Sequence, residues 1–437
     1  MRLAFALLVL PTIAYAEPKP TVVWQNRVID EAPSALTQVS HKLYLNDCVP
    51  NGCTVSPGAD NSLTNRSSIA QTTVTLDAYS HGTDSWNQLV ACVRDTFKPF
   101  DIEITEVDPG PSVSHFEVMI GGTSRQLNPN LDAGGVAPFI SCGATRDNAI
   151  SFVFASQTGS IPYLCAAVAQ EASHIWGLDH ELDARDPMTY LDLGSSKRFQ
   201  NSDPDCGEDT PRHCRCGGNT QNSFRYLNNT FGLSSTLVDP TLTIGTPTEG
   251  QWVKPHFPIS AMLTSDLYLL DAALSIDGAQ IETTNSIIAF NAPDLAAGPH
   301  AIALSATDAG DRTVMGTVNV NVLSACSAAA ACPSSFSCLG GLCLPGSNEA
   351  GGLGASCASN GECITGQCAS DGTDSLCTGG CDAGNACPSG FTCLADANVC
   401  WPDPDAGGGC STSGGDFSGF ALVGLGAFVF VARRRRR

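Results

Sequence analysis

The pattern of apolar and polar residues in the first half of the chain predicts two helices. One set of apolar residues recurs at helical spacing after Asp84-Ser85, a candidate N-cap: Trp86, Leu89, Val90, Val93 and Phe97. Lys98-Pro99 predicts the end of this helix, because proline cannot continue it. A second apolar segment predicts a helix over residues 163–176.

Strand-like runs lie between the two predicted helices. They cover residues 101–107, 112–120 and 150–155, and Asp108-Pro109-Gly110 predicts a turn after the first run. A helix, several strands and a second helix in this order predict an α+β domain. We place this domain at residues 17–235.

The next part of the chain has short apolar runs and no helical period. The runs cover residues 242–244, 273–276, 301–306 and 314–322, and Gly, Pro and Asp separate them. This spacing predicts an all-β, immunoglobulin-like sandwich over residues 236–325. His256 and His300 lie beside prolines and are predicted to be turn residues.

The cysteines divide the chain along the same lines. Of the 21 cysteines, eight lie from Cys48 to Cys216, twelve lie from Cys326 to Cys400, and Cys410 stands alone. Two even sets predict two disulfide-bonded modules and one separately used thiol. In residues 326–400 the spacing of Cys326 to Cys343 returns at Cys381 to Cys400. Because CxxC pairs are absent there, the spacing favours disulfide-bonded repeats over zinc sites.

Both ends of the chain predict export. Residues 1–16 have a basic start, an apolar run and an Ala-Tyr-Ala cleavage site, which is the pattern of a secretory signal peptide. After a linker at 401–415, the segment 416–437 has an apolar run that stops at five arginines. With Cys410 before it, this segment resembles the myxobacterial-type C-terminal sorting tail. The resemblance implies passage through a membrane and processing at the cell surface; a plain membrane anchor is the alternative.

The net charge of the chain limits the classes of partner that we expect. The formal net charge is −21, from 22 Lys+Arg and 43 Asp+Glu. An acidic surface repels phosphate backbones, so a nucleic acid is not expected as a partner. The cysteine content is typical of an oxidising, extracytoplasmic compartment.

Residues 168–190 contain the candidate chemistry. Gln170 and His174 are four positions apart and share one face of the predicted helix, and Glu171 follows Gln170 directly. Gly177 predicts the end of the helix, because glycine adopts the left-handed cap without steric cost. The chain then reverses and is predicted to bring His180 to the same point, and a tight turn follows at Pro187-Met188.

These residues resemble the metzincin signature HExxHxxGxxH with its methionine turn, here in the form QExxHxxGxxH. The resemblance implies an α+β zincin-like peptidase domain with an active-site helix, and Zn²⁺ as the cofactor. By position, His174 and His180 are metal ligands and Gln170 stands in the place of the first ligand. Glu171 is then the catalytic general base, Met188 forms the Met-turn, and Tyr190 is the catalytic residue that stabilises the oxyanion.

Gln170 is the departure from the signature. An amide oxygen is a weaker zinc ligand than an imidazole nitrogen. Three outcomes are open: Zn²⁺ is held by two histidines with a weak third ligand, another metal is used, or the site is kept for binding alone. Other histidines (His41, His81, His115 and His213) are expected at the surface, and Cys165 is expected in a disulfide.

The sequence therefore favours a secreted or cell-surface zinc metalloendopeptidase that hydrolyses peptide bonds of extracellular proteins. The alternative from another class is a non-catalytic adhesin or scaffold with a degenerate peptidase domain. A structural envelope protein is the third hypothesis. The expected partners are a protein or peptide substrate and, through the tail, a membrane.

Overall fold

The computed structural model describes residues 39–138, 147–191, 196–327, 329–382 and 386–403. The predicted signal peptide, the tail at 416–437, Cys142 and Cys410 lie outside these ranges. The chain divides into two compact units. The first contains the residues up to 250 with 256–293 and 299–320, and the second contains 251–255, 294–298 and the residues from 321 onward.

Within its described residues, the N-terminal domain has eight short strands and four α-helices. The strands are β1 (Lys42–Asn46), β2 (Cys53–Pro57), β3 (Arg66–Ser67), β4 (Val74–Leu76), β5 (Glu103–Thr105), β6 (Phe116–Ile120), β7 (Gly135–Val136) and β8 (Ile150–Val153). The helices are α1 (Thr83–Phe97), α2 (Ser124–Leu127), α3 (Ile161–Ile175) and α4 (Ser223–Phe231). The predicted mixture of helices and strands is therefore present.

Five of these strands form the main sheet, in the order β5-β1-β6-β8-β7. The first four strands run parallel to one another, and β7 runs antiparallel to β8. Strands β2, β3 and β4 form a separate small sheet. A disulfide between Cys48 and Cys53 lies at the entry to this small sheet.

Helices α1 and α3 bury their apolar faces in one core with the main sheet. Every apolar residue that predicted α1 is buried, and Val168 and Ala172 of α3 are buried in the same cluster. The Cys92–Cys165 disulfide joins the two helices. The predicted N-cap at Asp84-Ser85 is wrong, because α1 begins at Thr83 and Gly82 precedes it with a φ of 83°.

The part after residue 240 is an immunoglobulin-like β-sandwich, as predicted. Its strands are β9 (Thr241–Thr246), β10 (Gln251–Val253), β11 (Pro258–Thr264), β12 (Leu269–Ile276), β13 (Ala279–Thr284), β14 (Ala289–Asn291), β15 (Gly298–Asp308) and β16 (Thr313–Val322). One sheet of the first unit has the order β14-β11-β9, and the other contains β16-β15-β12-β13. Strands β12 and β15 alternate buried and more exposed residues, which is the pattern of a sheet with one covered face.

One prediction in the sandwich is wrong. His300 is not a turn residue: it lies in β15, and its Nδ1 atom is 2.6 Å from Oδ2 of Asp277. The hydrogen bond holds the side chain beside the strand, and the adjacent proline does not end the strand. His256 lies outside the strands, as expected.

From residue 326 to 403, the described part of the chain forms three disulfide-bonded hairpins: β17 (Phe336–Leu339) with β18 (Leu342–Pro345), β19 (Cys368–Ser370) with β20 (Ser375–Cys377), and β21 (Phe391–Leu394) with β22 (Val399–Pro402). In each group of four cysteines the first pairs with the third and the second with the fourth. The middle group, which the sequence left as an insert between two copies, is therefore a third copy.

The sulfur atoms in each hairpin lie close enough together to suggest a metal site. All twelve belong to disulfides, however, and a disulfide offers no thiolate to a metal. This agrees with the prediction of disulfide-bonded repeats. Among the residues described, no helix is long and apolar enough to cross a membrane.

Candidate functional site

The end of α3 sets the geometry of the site. Gly177 has a φ of 101°, and its N–H donates to the carbonyl of His174, while the N–H of Leu178 donates to the carbonyl of Ser173. These two bonds form the Schellman cap that ends a helix and reverses the chain. A Cβ atom at position 177 would also lie only 2.8 Å from the hydroxyl oxygen of Tyr226.

The reversal brings His180 against His174, as the spacing predicted. The two Nε2 atoms are 3.0 Å apart, and both side chains are buried. Nδ1 of His174 lies 2.7 Å from the carbonyl oxygen of Leu178, and Nδ1 of His180 lies 3.2 Å from Oε1 of Glu208. A carbonyl and a carboxylate only accept hydrogen bonds, so each Nδ1 carries the ring proton.

Both Nε2 atoms therefore direct lone pairs toward each other. Two lone pairs at this distance repel, and a cation that both nitrogens bind removes the repulsion. Burial, with the neighbouring His180 as the next cause, lowers the pKa of His174 to about 3. Burial also lowers the pKa of His180. Both rings are thus neutral, which is the form that binds a metal ion.

Glu171 lies on the same helix, fully buried. Within the described residues, neither of its carboxylate oxygens has a hydrogen-bond partner. Burial raises the pKa of Glu171 well above its usual value. A buried carboxyl group without a partner is costly in folding free energy, and such groups are concentrated at functional sites.

Two glycines make room, one for this carboxyl group and one for the hydroxyl of Tyr163. A Cβ atom on Gly135 would lie 2.7 Å from Oε1 of Glu171, and one on Gly134 would lie 2.0 Å from the hydroxyl of Tyr163. Burial, and then the charge of Glu171, raises the pKa of Tyr163. Gly134, Gly135 and Tyr163 could not be identified from sequence, because no recognisable motif marks β7, the residue before it or the start of α3.

Gln170 contacts the turn at Met188 through its amide nitrogen. Nε2 of Gln170 donates to the carbonyl of Pro187 at 3.0 Å. The carbonyl can only accept, so the orientation of the amide is fixed and Oε1 lies on its other side. Met188 is fully buried, and its N–H donates to Asp186.

Tyr190 packs on the ring of His180. Its ring centroid is 4.3 Å from that of His180. Burial, and then the charge of Glu171, raises the pKa of Tyr190 above its usual range. Its hydroxyl therefore stays protonated and can donate a hydrogen bond at any physiological pH.

The other histidines with described contacts lie elsewhere. His41 faces Asp101, His81 faces the carbonyl of Ala155, and His115 faces the carbonyl of Val113. The surface location expected for His115 is wrong, since the ring is buried beside Tyr44. His213 is exposed, as expected.

An ion-pair cluster next to His180 was also missed from sequence. Side-chain oxygens of Asp179 and Glu208 lie within 4.8 Å of a nitrogen of His180, a spacing compatible with a metal ion. The guanidinium of Arg212, however, bonds both carboxylates. The cation that balances this pair is therefore an arginine.

Comparison with known proteins identifies no family. No protein-family model matches the chain, and no curated protein matches it. Fibronectin(III)-like modules of Clostridium thermocellum CbhA are similar to 21% of this chain at 20% identity, with a TM-score of 0.18, and the match spans 50% of that chain. The PKD1 domain of Vibrio anguillarum Epp is similar to 20% of this chain at 21% identity, with a TM-score of 0.15, and is covered to 95%. Likenesses at these TM-scores carry no argument about fold or function.

Proposed function

We propose that the N-terminal domain is a zincin-like, metzincin-type peptidase domain and that the protein hydrolyses peptide bonds with Zn²⁺ as cofactor. One observation carries the proposal: two neutral histidines present lone pairs 3.0 Å apart, with an unpartnered carboxyl group on the same helix. Tetrahedral zinc with nitrogen at about 2.0–2.1 Å separates two ligands by roughly 3.3 Å. The residues present therefore fit a zinc ion.

Each side chain has a role in this proposal. Bound Zn²⁺ would supply the Lewis acidity that activates water and the peptide carbonyl. Glu171 accepts the proton of the attacking water and passes it to the leaving amine as the C–N bond breaks. Its raised pKa makes it a stronger base than an exposed carboxylate. The Tyr190 hydroxyl donates a hydrogen bond to the oxygen that becomes negative.

Export belongs to the same proposal. The disulfides of the described residues support an oxidising compartment. We propose that the signal segment 1–16 directs secretion and that the tail at 416–437 holds the protein at the cell surface or is removed there. The substrate would then be an extracellular protein or peptide.

A second function, a non-catalytic adhesin or scaffold, is favoured by one contact. The amide nitrogen of Gln170 bonds the turn at Pro187, so this side chain has a structural use that needs no metal. The two functions differ in metal content and in turnover. A domain kept only for binding would hold no stoichiometric Zn²⁺ and would cleave nothing.

The decisive experiment is the pair Glu171→Ala and Glu171→Gln in the full chain. Both variants should retain bound Zn²⁺, measured by metal analysis, and lose casein hydrolysis by about 10²-fold or more, since the general base is removed and no ligand is touched. Glu106→Gln serves as the control, at a carboxylate paired with Arg94. Hydrolysis at the wild-type rate in the Glu171 variants would exclude Glu171 from the reaction.

A further inference from the structure

A short loop closed by a disulfide is attached to the backbone of His180. Cys206 and Cys214 are bonded, and the N–H of Gly207 donates to the carbonyl of His180 at 3.0 Å. The turn of this loop is so tight that a Cβ atom on Gly207 would lie only 2.1 Å from the carbonyl oxygen of Thr210. The disulfide and the backbone bond together fix where the loop lies relative to His180.

The loop presents one carboxylate to the ring of His180. Oε1 of Glu208 is 3.2 Å from Nδ1 of His180. Arg212, from the same loop, donates to both oxygens of Glu208, at 2.7 Å and 2.9 Å. Both carboxylate oxygens of Glu208 therefore accept hydrogen bonds from Arg212, although the Glu208 side chain is 34% exposed.

Arg212 also connects this carboxylate to the residue before His180. It donates to both oxygens of Asp179 at 2.7 Å and 2.8 Å, and Asp179 accepts from the backbone N–H of His180. Asp179, Arg212, Glu208 and His180 thus form a closed ring of hydrogen bonds around one histidine. A bidentate arginine restricts both position and angle of the carboxylates it binds.

We infer that Glu208, held by Arg212 in the disulfide-closed loop, is a positioning residue that fixes the tautomer and direction of His180 for metal binding. The inference rests on the proposed function. A carboxylate that accepts from Nδ1 keeps the ring proton there, so Nε2 of His180 stays unprotonated and faces Nε2 of His174. Such partners typically change metal affinity by about 10–100-fold.

The first test is zinc affinity in the full chain, titrated with Zn²⁺ alone against a competing chelator. Glu208→Ala should weaken binding by about 10–100-fold. Glu208→Gln keeps an oxygen that can accept from Nδ1 and should recover part of that loss. Glu106→Gln is the matched control, because Glu106 also pairs with an arginine and is 33% exposed; it should bind as the wild type does.

The second test does not need the metal. In metal-free protein with ¹⁵N-labelled histidine, NMR should show His180 protonated at Nδ1 in the wild type. Glu208→Ala should shift His180 toward the Nε2–H form, and Glu208→Gln should restore the wild-type form. His174 should keep its tautomer in all variants, since its partner is the backbone carbonyl of Leu178.

The outcomes separate this inference from the proposed function. An unchanged His180 tautomer in Glu208→Ala, or zinc affinity equal to that of Glu106→Gln, overturns the role of Glu208. A wild-type protein that binds no Zn²⁺, or binds it equally well after His174→Ala, overturns the proposed function instead. Loss of tautomer control together with weaker zinc binding supports the inference.

Discussion

In the resemblance to the metzincin signature, Gln170 stands at the position of the first zinc-binding histidine. Its Nε2 donates to the carbonyl of Pro187. A primary amide offers one donor side and one acceptor side, so it can keep this contact and still leave an oxygen unshared. As a zinc ligand that oxygen is much weaker than an imidazole nitrogen.

Gln170→His should therefore tighten zinc binding by at least about tenfold, because it adds a nitrogen donor to the pair His174 and His180. It should also raise peptidase activity if only the ligand limits turnover. Competition with a chelator measures the affinity, and Gln170→Ala is the control. Unchanged affinity in Gln170→His would show that position 170 does not face the metal.

Glu117 gives a prediction that is independent of the candidate site. Burial raises the pKa of this carboxyl group to about 8, and Asn46 donates to it at 2.7 Å. Between the usual pKa near 4.5 and pH 8 the folded state keeps a proton that the unfolded state releases. The free energy of unfolding therefore falls as pH rises through this window, by at most about 1.4 kcal/mol per pH unit.

Glu117→Gln should remove this dependence, because glutamine does not titrate and can still accept from Asn46. Relative to wild type, the variant should gain stability steadily from pH 5 to pH 8 in chemical unfolding. Glu103→Gln, at an exposed carboxylate of β5, should follow the wild type at every pH. A constant difference between Glu117→Gln and wild type across that range would refute the assigned cause.

Residue spacing along one helix made part of the site predictable. Gln170 and His174 are four positions apart and therefore share one face of the helix. Because the helix ends at Gly177, the chain reverses there and His180 comes close to His174. Glu208, Gly134 and Gly135 reach the site from other loops and strands. Their position at the site depends on tertiary packing, which no local periodicity in the sequence predicts.

At the level of elements, apolar periodicity predicted α1 and α3 well and the ends of the strands less well. The predicted run 101–107 contains only the short strand β5, because pairing with β1 involves three residues. The start of α1 was placed too late, since Gly82 lacks a side chain that would mark a cap. Propensity indicates that an element exists, and its partners decide where it begins and ends.

The Cys92–Cys165 disulfide should contribute more stability than the Cys48–Cys53 disulfide. The former closes a separation of 73 residues and the latter a separation of 5. In the loop-closure model the difference is about 2 kcal/mol. Thermal unfolding of the C92A/C165A and C48A/C53A variants tests this ranking. Equal losses in the two variants would mean that loop closure does not determine the contribution.

At the scale of the whole molecule, the cysteine counts predicted a disulfide-rich C-terminal module but not the number of its repeats. Three hairpins with one pairing pattern were visible as only two copies, because the middle group has a longer gap between its last cysteines. The apolar cluster of the middle copy contains little besides its own cysteines. Covalent bonds thus replace a core in the middle copy.

A reductant should consequently unfold the disulfide-bonded hairpins and leave the β-sandwich folded. The sandwich has no cysteine from residue 217 to 325 and is held by alternating buried side chains such as Leu274, Ile302 and Leu304. Reduction cannot remove any covalent bond from it. Residues 326–403 lose six disulfides and keep only a small buried apolar cluster, which includes Leu339, Leu344 and Leu353. We do not expect a cluster of this size to hold the hairpins folded.

Limited proteolysis of the full chain, with and without reductant, measures this difference. Trypsin is unsuitable, because the sequence has no lysine or arginine between Arg312 and Arg433, so a protease of broad specificity is needed. Without reductant both regions should resist digestion. With reductant the cuts should appear first after residue 326, leaving a product that ends near the last strand of the sandwich. First cuts inside residues 241–322, or repeats that stay resistant when reduced, would show that the disulfides are not what holds the hairpins folded.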